Sequence, residues 1–178
     1  MKKNSLLFAA MVLLLACNNE TKVDSATTDS TVAVTEPVSL PYTVEKTPDW
    51  EKGSDENLSI AMKALKAYET NDSTAMKALL ADSVSFYYDG GEFKGTADSF
   101  MTMLNRHRNS LTNVSIKMND YESVKSKNRG EEWVGLWYVE TTTEKSGKTD
   151  SLTTMDDIMI VNGKIRVIDS KVRHFAKQ

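Results

Sequence analysis

Between Thr149 and Phe175 two apolar-rich runs meet at Asn162-Gly163, and no other stretch of the chain limits its fold as tightly. Asn-Gly supplies the two residues that tolerate positive φ in a type I′ turn, so the runs read as a β-hairpin. A two-residue turn also fixes the register. It sets Val161 opposite Lys164, Ile160 opposite Ile165, Ile158 opposite Val167 and Asp156 opposite Asp169. Side chains alternate between the faces of a strand, so one face carries Ile158, Ile160, Ile165 and Val167 with two carboxylates beside them. Carboxylates about 5 Å apart among apolar neighbours do not both ionise cheaply; one keeps its proton near neutral pH and can act as an acid or a hydrogen-bond donor. Asp156 and Asp169 are therefore the candidate catalytic acid and base. The competing reading is a solvated charge cluster toward the open end of the sheet, with Lys171 diagonal to Asp156 and Arg173 further on.

The remaining second half also reads as strand. Val114 to Val124, Glu131 to Thr143, Thr149 to Val161 and Lys164 to Phe175 are separated by polar turns holding Gly130, Gly147 and Gly163, the pattern of an antiparallel meander. The first half reads helical. Ser54 precedes Asp55 and Glu56 as an N-cap, with Leu58, Met62, Leu65 and Tyr68 on one stripe. Asp72 caps a second helix with Ala75, Met76, Leu79 and Leu80 inward. A short strand holding Val84, Phe86 and Tyr88 turns at Asp89-Gly90-Gly91, and Gly95 breaks this piece. Thr96 caps a third helix carrying Phe100, Met103, Leu104 and His107. The fold class is α+β: a curved antiparallel sheet of four long strands plus a short hairpin, packed on three N-terminal helices as a cone with an open mouth.

Ahead of this unit, residues 1–16 read as a lipoprotein signal peptide. Lys2 and Lys3 precede the apolar run Leu6 to Leu15, too short to span a bilayer, and Leu14-Leu15-Ala16-Cys17 resembles the bacterial lipobox. Acylated Cys17 would anchor the chain to membrane lipid, each buried methylene adding about 0.8 kcal/mol. Residues 17–49 form a flexible tether rich in Thr, Ser, Val, Asp and Glu, with Tyr42 and Trp50 placed to pin its end; Val32 to Tyr42 has an alternative as an edge strand. The folded domain is 50–178. The expected location is the cell envelope, lipid-anchored and not transmembrane.

From Trp50 onward 18 basic residues stand against 19 acidic ones, a balance without the electrostatic footprint of nucleic-acid binding. Cys17 is the sole cysteine and the chain has two histidines, so neither a disulfide nor a metal centre is expected, and no nucleotide or flavin motif implies a cofactor. The candidate ligand-binding residues are apolar and aromatic: Phe86, Tyr88, Met101, Leu104, Trp133, Trp137 and Ile158, with Trp133 and Trp137 on one strand face across Gly135. The same aromatics also read as core packing.

The order helix, helix, short hairpin, helix, long strands, with Leu80-Ala81-Asp82-Ser83-Val84-Ser85-Phe86, Gly95-Thr96 and Asn162-Gly163-Lys164-Ile165, resembles the nuclear transport factor 2-like superfamily over about Glu56 to Phe175. Its members include ketosteroid isomerases, polyketide-cyclase-like (SnoaL-like) enzymes and scytalone dehydratases. On that resemblance the isomerase's oxyanion tyrosine falls at Ala64, its general base at Tyr88 with Asp89 adjacent, and its protonated aspartate at Asp156. One position in three matches. The dehydratase histidines find no counterpart in His107 or His174.

Three function classes follow. The first is a tethered cone that binds a small, largely apolar ligand. The second is a cofactor-free isomerase, dehydratase or cyclase using Asp156 and Asp169. The third is an envelope interaction module, including a homodimer through the sheet face.

Overall fold

The computed structural model describes residues 41–45 and 49–175; residues 1–16, read above as a signal peptide, Cys17 and Val32 to Leu40 lie outside the described residues. In chain order the elements are β1 (Trp50–Lys52), α1 (Asp55–Thr70), α2 (Ser73–Leu79), β2 (Leu80–Tyr88), β3 (Gly91–Thr96), α3 (Ala97–Arg108), β4 (Leu111–Ser126), β5 (Glu132–Glu144), β6 (Thr149–Val161) and β7 (Lys164–His174).

Each helix starts where a short polar side chain can take up an otherwise unpaired amide. Ser54 Oγ accepts the Asn57 N–H, Asp72 Oδ1 the Ala75 N–H and Thr96 Oγ1 the Ser99 N–H, at 3.1, 2.9 and 3.2 Å. The α1 stripe packs with Ala61, Ala64, Leu65 and Ala67 innermost, and Leu58, Met62 and Tyr68 along its margin. On α2, Met76 is buried whereas Ala75 is exposed.

The strands form one seven-stranded sheet in the order β1-β4-β5-β6-β7-β2-β3. It is antiparallel except where β2 lies parallel to β7, a departure from the expected all-antiparallel sheet. The hairpin with β6 sets the direction of β7, and where β7 meets β2 that direction is parallel. Gly95 does not end the short hairpin either. It sits within β3, opposite Val84, where the Phe93 ring fills the space a Cβ would need.

Trp50–Lys52 is a strand not foreseen from the sequence, paired with Val124–Ser126 at the sheet edge. Asp49 secures it. Its carboxylate accepts from Ser126 Oγ and the Asn128 N–H and pairs with the Arg129 guanidinium at 3.0 Å, while that guanidinium lies 4.8 Å from the Trp50 ring centroid. Trp50 is thus pinned; Tyr42 is 83% exposed.

The helices cover one face, and the core lies between. Val134, Leu136, Ile158, Ile160 and Ile165 from the sheet meet Ala61, Ala64 and Leu65 of α1 and Phe100 and Met101 of α3. Burying each large side chain of this kind contributes about 1.5–3 kcal/mol. No helix among the described residues is long and apolar enough to cross a membrane.

The hairpin turn forms with φ of 51° at Asn162 and 71° at Gly163, and Val161–Lys164 and Ile160–Ile165 pair as the turn dictates. The register then slips. Met159 pairs with Val167, leaving Arg166 as an extra residue in a β-bulge. Beyond it Ile158 faces Ile168, Asp157 faces Asp169 and Asp156 faces Ser170. Asp156 and Asp169 therefore point to opposite faces, and the expected carboxylate pair does not form. Without the bulge, Asp169, Lys171 and Arg173 would share the face of Ile165; with it they turn outward and Ile168 and Val172 turn in.

Candidate functional site

Alternation along β6 carries its inner face from Ile160 and Ile158 to Asp156 and Thr154, and the facing residues of β5 are Leu136, opposite Asp156, and Tyr138, opposite Thr154. Tyr138 Oη donates to Asp156 Oδ2 at 2.8 Å in a fully buried hydrogen bond. Asp156 is 6% exposed, and its second oxygen, Oδ1, has no hydrogen-bond partner; neither has the buried Thr154 Oγ1. A second phenol–carboxyl couple lies on the same side. Tyr68, in the last turn of α1, donates to Glu140 Oε1 at 3.0 Å.

Arg108 holds Tyr68 in place. Buried to 8% exposure at the end of α3, it donates from Nε to the Tyr68 carbonyl and from Nη2 to the Glu69 carbonyl, both at 3.0 Å. These carbonyls are at the negative end of α1, where a cation is favoured; the Tyr68 carbonyl also accepts the Asn71 N–H at 3.2 Å. His107, which the sequence places on the stripe of Phe100, Met103 and Leu104, is exposed.

Burial decides the electrostatics of this group. It pushes the Asp156 carboxyl above the usual carboxylate range, outweighing the opposing hydroxyls of Tyr138 and of Ser170, which lies beside Asp156 without meeting hydrogen-bond geometry. Burial raises Glu140 as well, with the Asp156 charge adding to the shift and the Tyr68 hydroxyl opposing it. Both phenols are pushed far up, by burial first and then by their carboxyl partners. Such a group offers neutral O–H donors in a low-dielectric interior, and Asp156 can donate through, or accept at, its free oxygen.

The nearby space is small. A cleft of about 10 Å³ lined by Tyr68, Met76, Met101, Leu104 and Arg108 has room for about one water molecule, and Asp156, Tyr138, Glu140 and Thr154 are not among its lining residues. Among the described residues no group of three His, Cys, Asp or Glu side chains converges as metal ligands.

The expected site residues divide between the two faces of the sheet. Asp156, Ile158, Phe86, Met101 and Leu104 lie on the helix side. Phe86 stacks on Tyr88 at 5.0 Å and meets the edge of Phe100 at 5.7 Å, while Tyr88, 41% exposed, sits at the strand's end. Trp133 and Trp137 are on the other face, because Val134, Leu136 and Tyr138 take the inward positions; the Trp137 ring lies over Gly135. They do not line the interior. Asp169 is also outward, 2.9 Å from Lys171 Nζ, which it shares with Asp157 at 2.7 Å.

Tyr68, Tyr138, Glu140, Thr154 and Arg108 were not singled out as site residues from the sequence. The signal for three of them was present: if Ile158 and Ile160 face the helices, alternation puts Thr154 on that face, and pairing across the Glu144–Lys148 turn puts Tyr138 and Glu140 there too. Large Trp side chains at the alternate positions obscured it.

No protein-family profile matches the sequence, and no curated protein is similar to it in sequence. Its fold is shared by solved structures at low identity. An LEH-like epoxide hydrolase of Mycobacterium tuberculosis superposes with a TM-score of 0.56 at 13% identity, over 66% of this chain and 83% of that one. AusH from Aspergillus nidulans gives 0.56 at 12%, over 72% and 90%. A nuclear transport factor 2-like protein of unknown function from Burkholderia pseudomallei gives 0.55 at 13%, over 67% and 92%.

Proposed function

From the premise that this chain has the nuclear transport factor 2-like fold, we propose that it is a lipid-anchored protein of the bacterial cell envelope whose cone holds a small, largely apolar ligand through one hydrogen-bonding group. The observation that carries this reading is the unpartnered Asp156 Oδ1. A buried polar atom without a partner costs about 1–3 kcal/mol, and a ligand carbonyl or hydroxyl at that oxygen would remove the cost. With its pKa raised, Asp156 meets a carbonyl as a donor and a hydroxyl as an acceptor. Asp156 does not line the small cleft beside Tyr68, so room for a ligand at Oδ1 has to open by repacking of the core, for which the core side chains Met76 and Met101 are suited.

The test is a panel of small cyclic ketones and alcohols titrated against the whole protein and read as a shift in melting temperature. A ligand at 100 times its Kd stabilises by about 2.7 kcal/mol. Asp156→Ala should abolish the shift. A panel without any effect on the parent protein, or with equal effects on the variant, would remove the reading.

Cofactor-free isomerisation, dehydration or cyclisation uses the same residues differently, with Asp156 and Glu140 passing a proton; Asp169 has no part in it, being on the far face. Turnover of a bound panel member, lost in Glu140→Gln, would favour this over simple binding. The interaction reading is favoured by another observation: Trp133, Trp137, Met155 and Met159 form a partly exposed apolar patch on the outer face. A dimer in sedimentation that Trp137→Glu dissociates would support it. Anchoring through Cys17 is tested by Cys17→Ser, which should leave the detergent phase in partitioning.

A further inference from the structure

Strand β7 outlasts its neighbour. The last β2 pairing is Tyr87 with Asp169, β2 ends at Tyr88, and among the described residues β7 continues through Ser170–His174 with β6 on its other side alone. Backbone groups of a strand alternate in direction, so part of this run points its N–H and C=O groups to the vacated side. A cleft of about 360 Å³ occupies that place, between the turn at Tyr88, Asp89 and Gly90 and the run Ser170–Val172. Its volume is within the roughly 300–1,000 Å³ of ligand sites. Tyr88, one of the large apolar side chains exposed among the described residues at 41%, lines it.

We propose that this open edge takes an extended segment of a partner polypeptide as an added strand, with one face apolar and the other acidic. The backbone supplies the recognition that any extended chain satisfies, and the side chains select among segments. On the inner face the run presents Val172 close to Tyr88, which suits an apolar residue. On the outer face it presents Lys171 and Arg173. Lys171 is already shared by Asp157 and Asp169, whereas Arg173, exposed, has no carboxylate partner among the described residues. A partner carboxylate therefore belongs at the Arg173 end, away from Asp89. The same charges argue against a second copy of this chain. Antiparallel self-pairing centred on Val172 would set Lys171 against Arg173, and like charges directly opposite are destabilising.

The experiment is amide hydrogen exchange and NMR titration on the whole protein in detergent micelles, with two synthetic heptapeptides, one alternating Val and Glu and the other Val and Lys. The Val/Glu peptide should slow exchange at amides within Ser170–His174 and bind about fivefold tighter than the Val/Lys peptide, the effect of about one cross-strand charge pair. Arg173→Glu, an exposed change that leaves the core intact, should reverse the preference. Absence of protection at these amides with either peptide at millimolar concentration would overturn the proposal. So would protection by both peptides without regard to the residue at Arg173, or protection that rises with protein concentration in the absence of peptide, the mark of self-pairing.

Discussion

Asp156→Asn keeps the shape of the most deeply buried carboxyl and removes its titration. In the folded protein Asp156 is 6% exposed and its pKa is raised by burial, so folding favours the protonated form. The native state therefore binds more protons than the unfolded state between the ordinary carboxyl value, about 3.9, and the raised one. The sign follows: this carboxyl stabilises the fold at low pH, and that contribution is lost as pH rises through the window, at about 1.4 kcal/mol per pH unit while the window lasts. Asn has no charge to acquire, and its carbonyl can still accept from Tyr138 Oη. Stability measured by urea denaturation from pH 4 to pH 8 should thus fall more steeply for the parent than for the variant, and the variant should gain relative to the parent toward neutral pH. Glu140, raised in the same way, titrates in both proteins; without the Asp156 charge it is raised less in the variant, which shifts the difference in the same direction. A difference between the two proteins that does not change with pH, or that grows in the parent's favour as pH rises, would refute the reasoning.

Leu136→Ala opens a cavity at a residue with no exposure, and should cost about 2–5 kcal/mol in urea denaturation. Arg108→Met leaves the Glu69 carbonyl without its side-chain donor and the Tyr68 carbonyl with the Asn71 N–H alone at a half-buried helix end, and should cost about 1–3 kcal/mol, with faster exchange in the last turn of α1. Gly163→Ala places a Cβ at φ of 71° and should cost roughly 1–2 kcal/mol with the register unchanged. Asp49, its pKa lowered by the Asn128 amide, Ser126 hydroxyl and Arg129 charge against a burial penalty, contributes stability above the ordinary carboxyl range that is lost as pH falls through its folded value; Asp49→Ala should remove that acid-side loss in a pH series.

Much of the fold was legible in local chemistry. The caps Ser54, Asp72 and Thr96 start the three helices, and Asn162-Gly163 turns the last hairpin, because each position asks for a residue type that few others supply. The site was less legible because strand parity is a relation between distant residues. One slip in it moves every side chain beyond to the other face. The bulge at Arg166 did leave a trace: counted strictly from Ile165, the inward positions would be Val167, Asp169, Lys171 and Arg173, three of them charged, while Ile168 and Val172 would face out. That conflict is resolved by one extra residue. Tyr68–Glu140 joins a helix to a strand 72 residues on, a contact that no local pattern specifies. β1 was missed for a related reason. Three residues carry too little alternation to read, and their pairing rests on Asp49, Ser126 and Arg129 coming together in three dimensions.

Native mass spectrometry of the whole protein, purified gently from its own host, tests the central claim most directly. The account predicts a small-molecule adduct of low polarity, present on the parent and absent from Asp156→Ala, since the ligand's polar group rests on that carboxyl. A clean unliganded mass for the parent, or an adduct that survives Asp156→Ala and is lost only with Trp137→Glu, would contradict it and move the function to the outer face of the sheet.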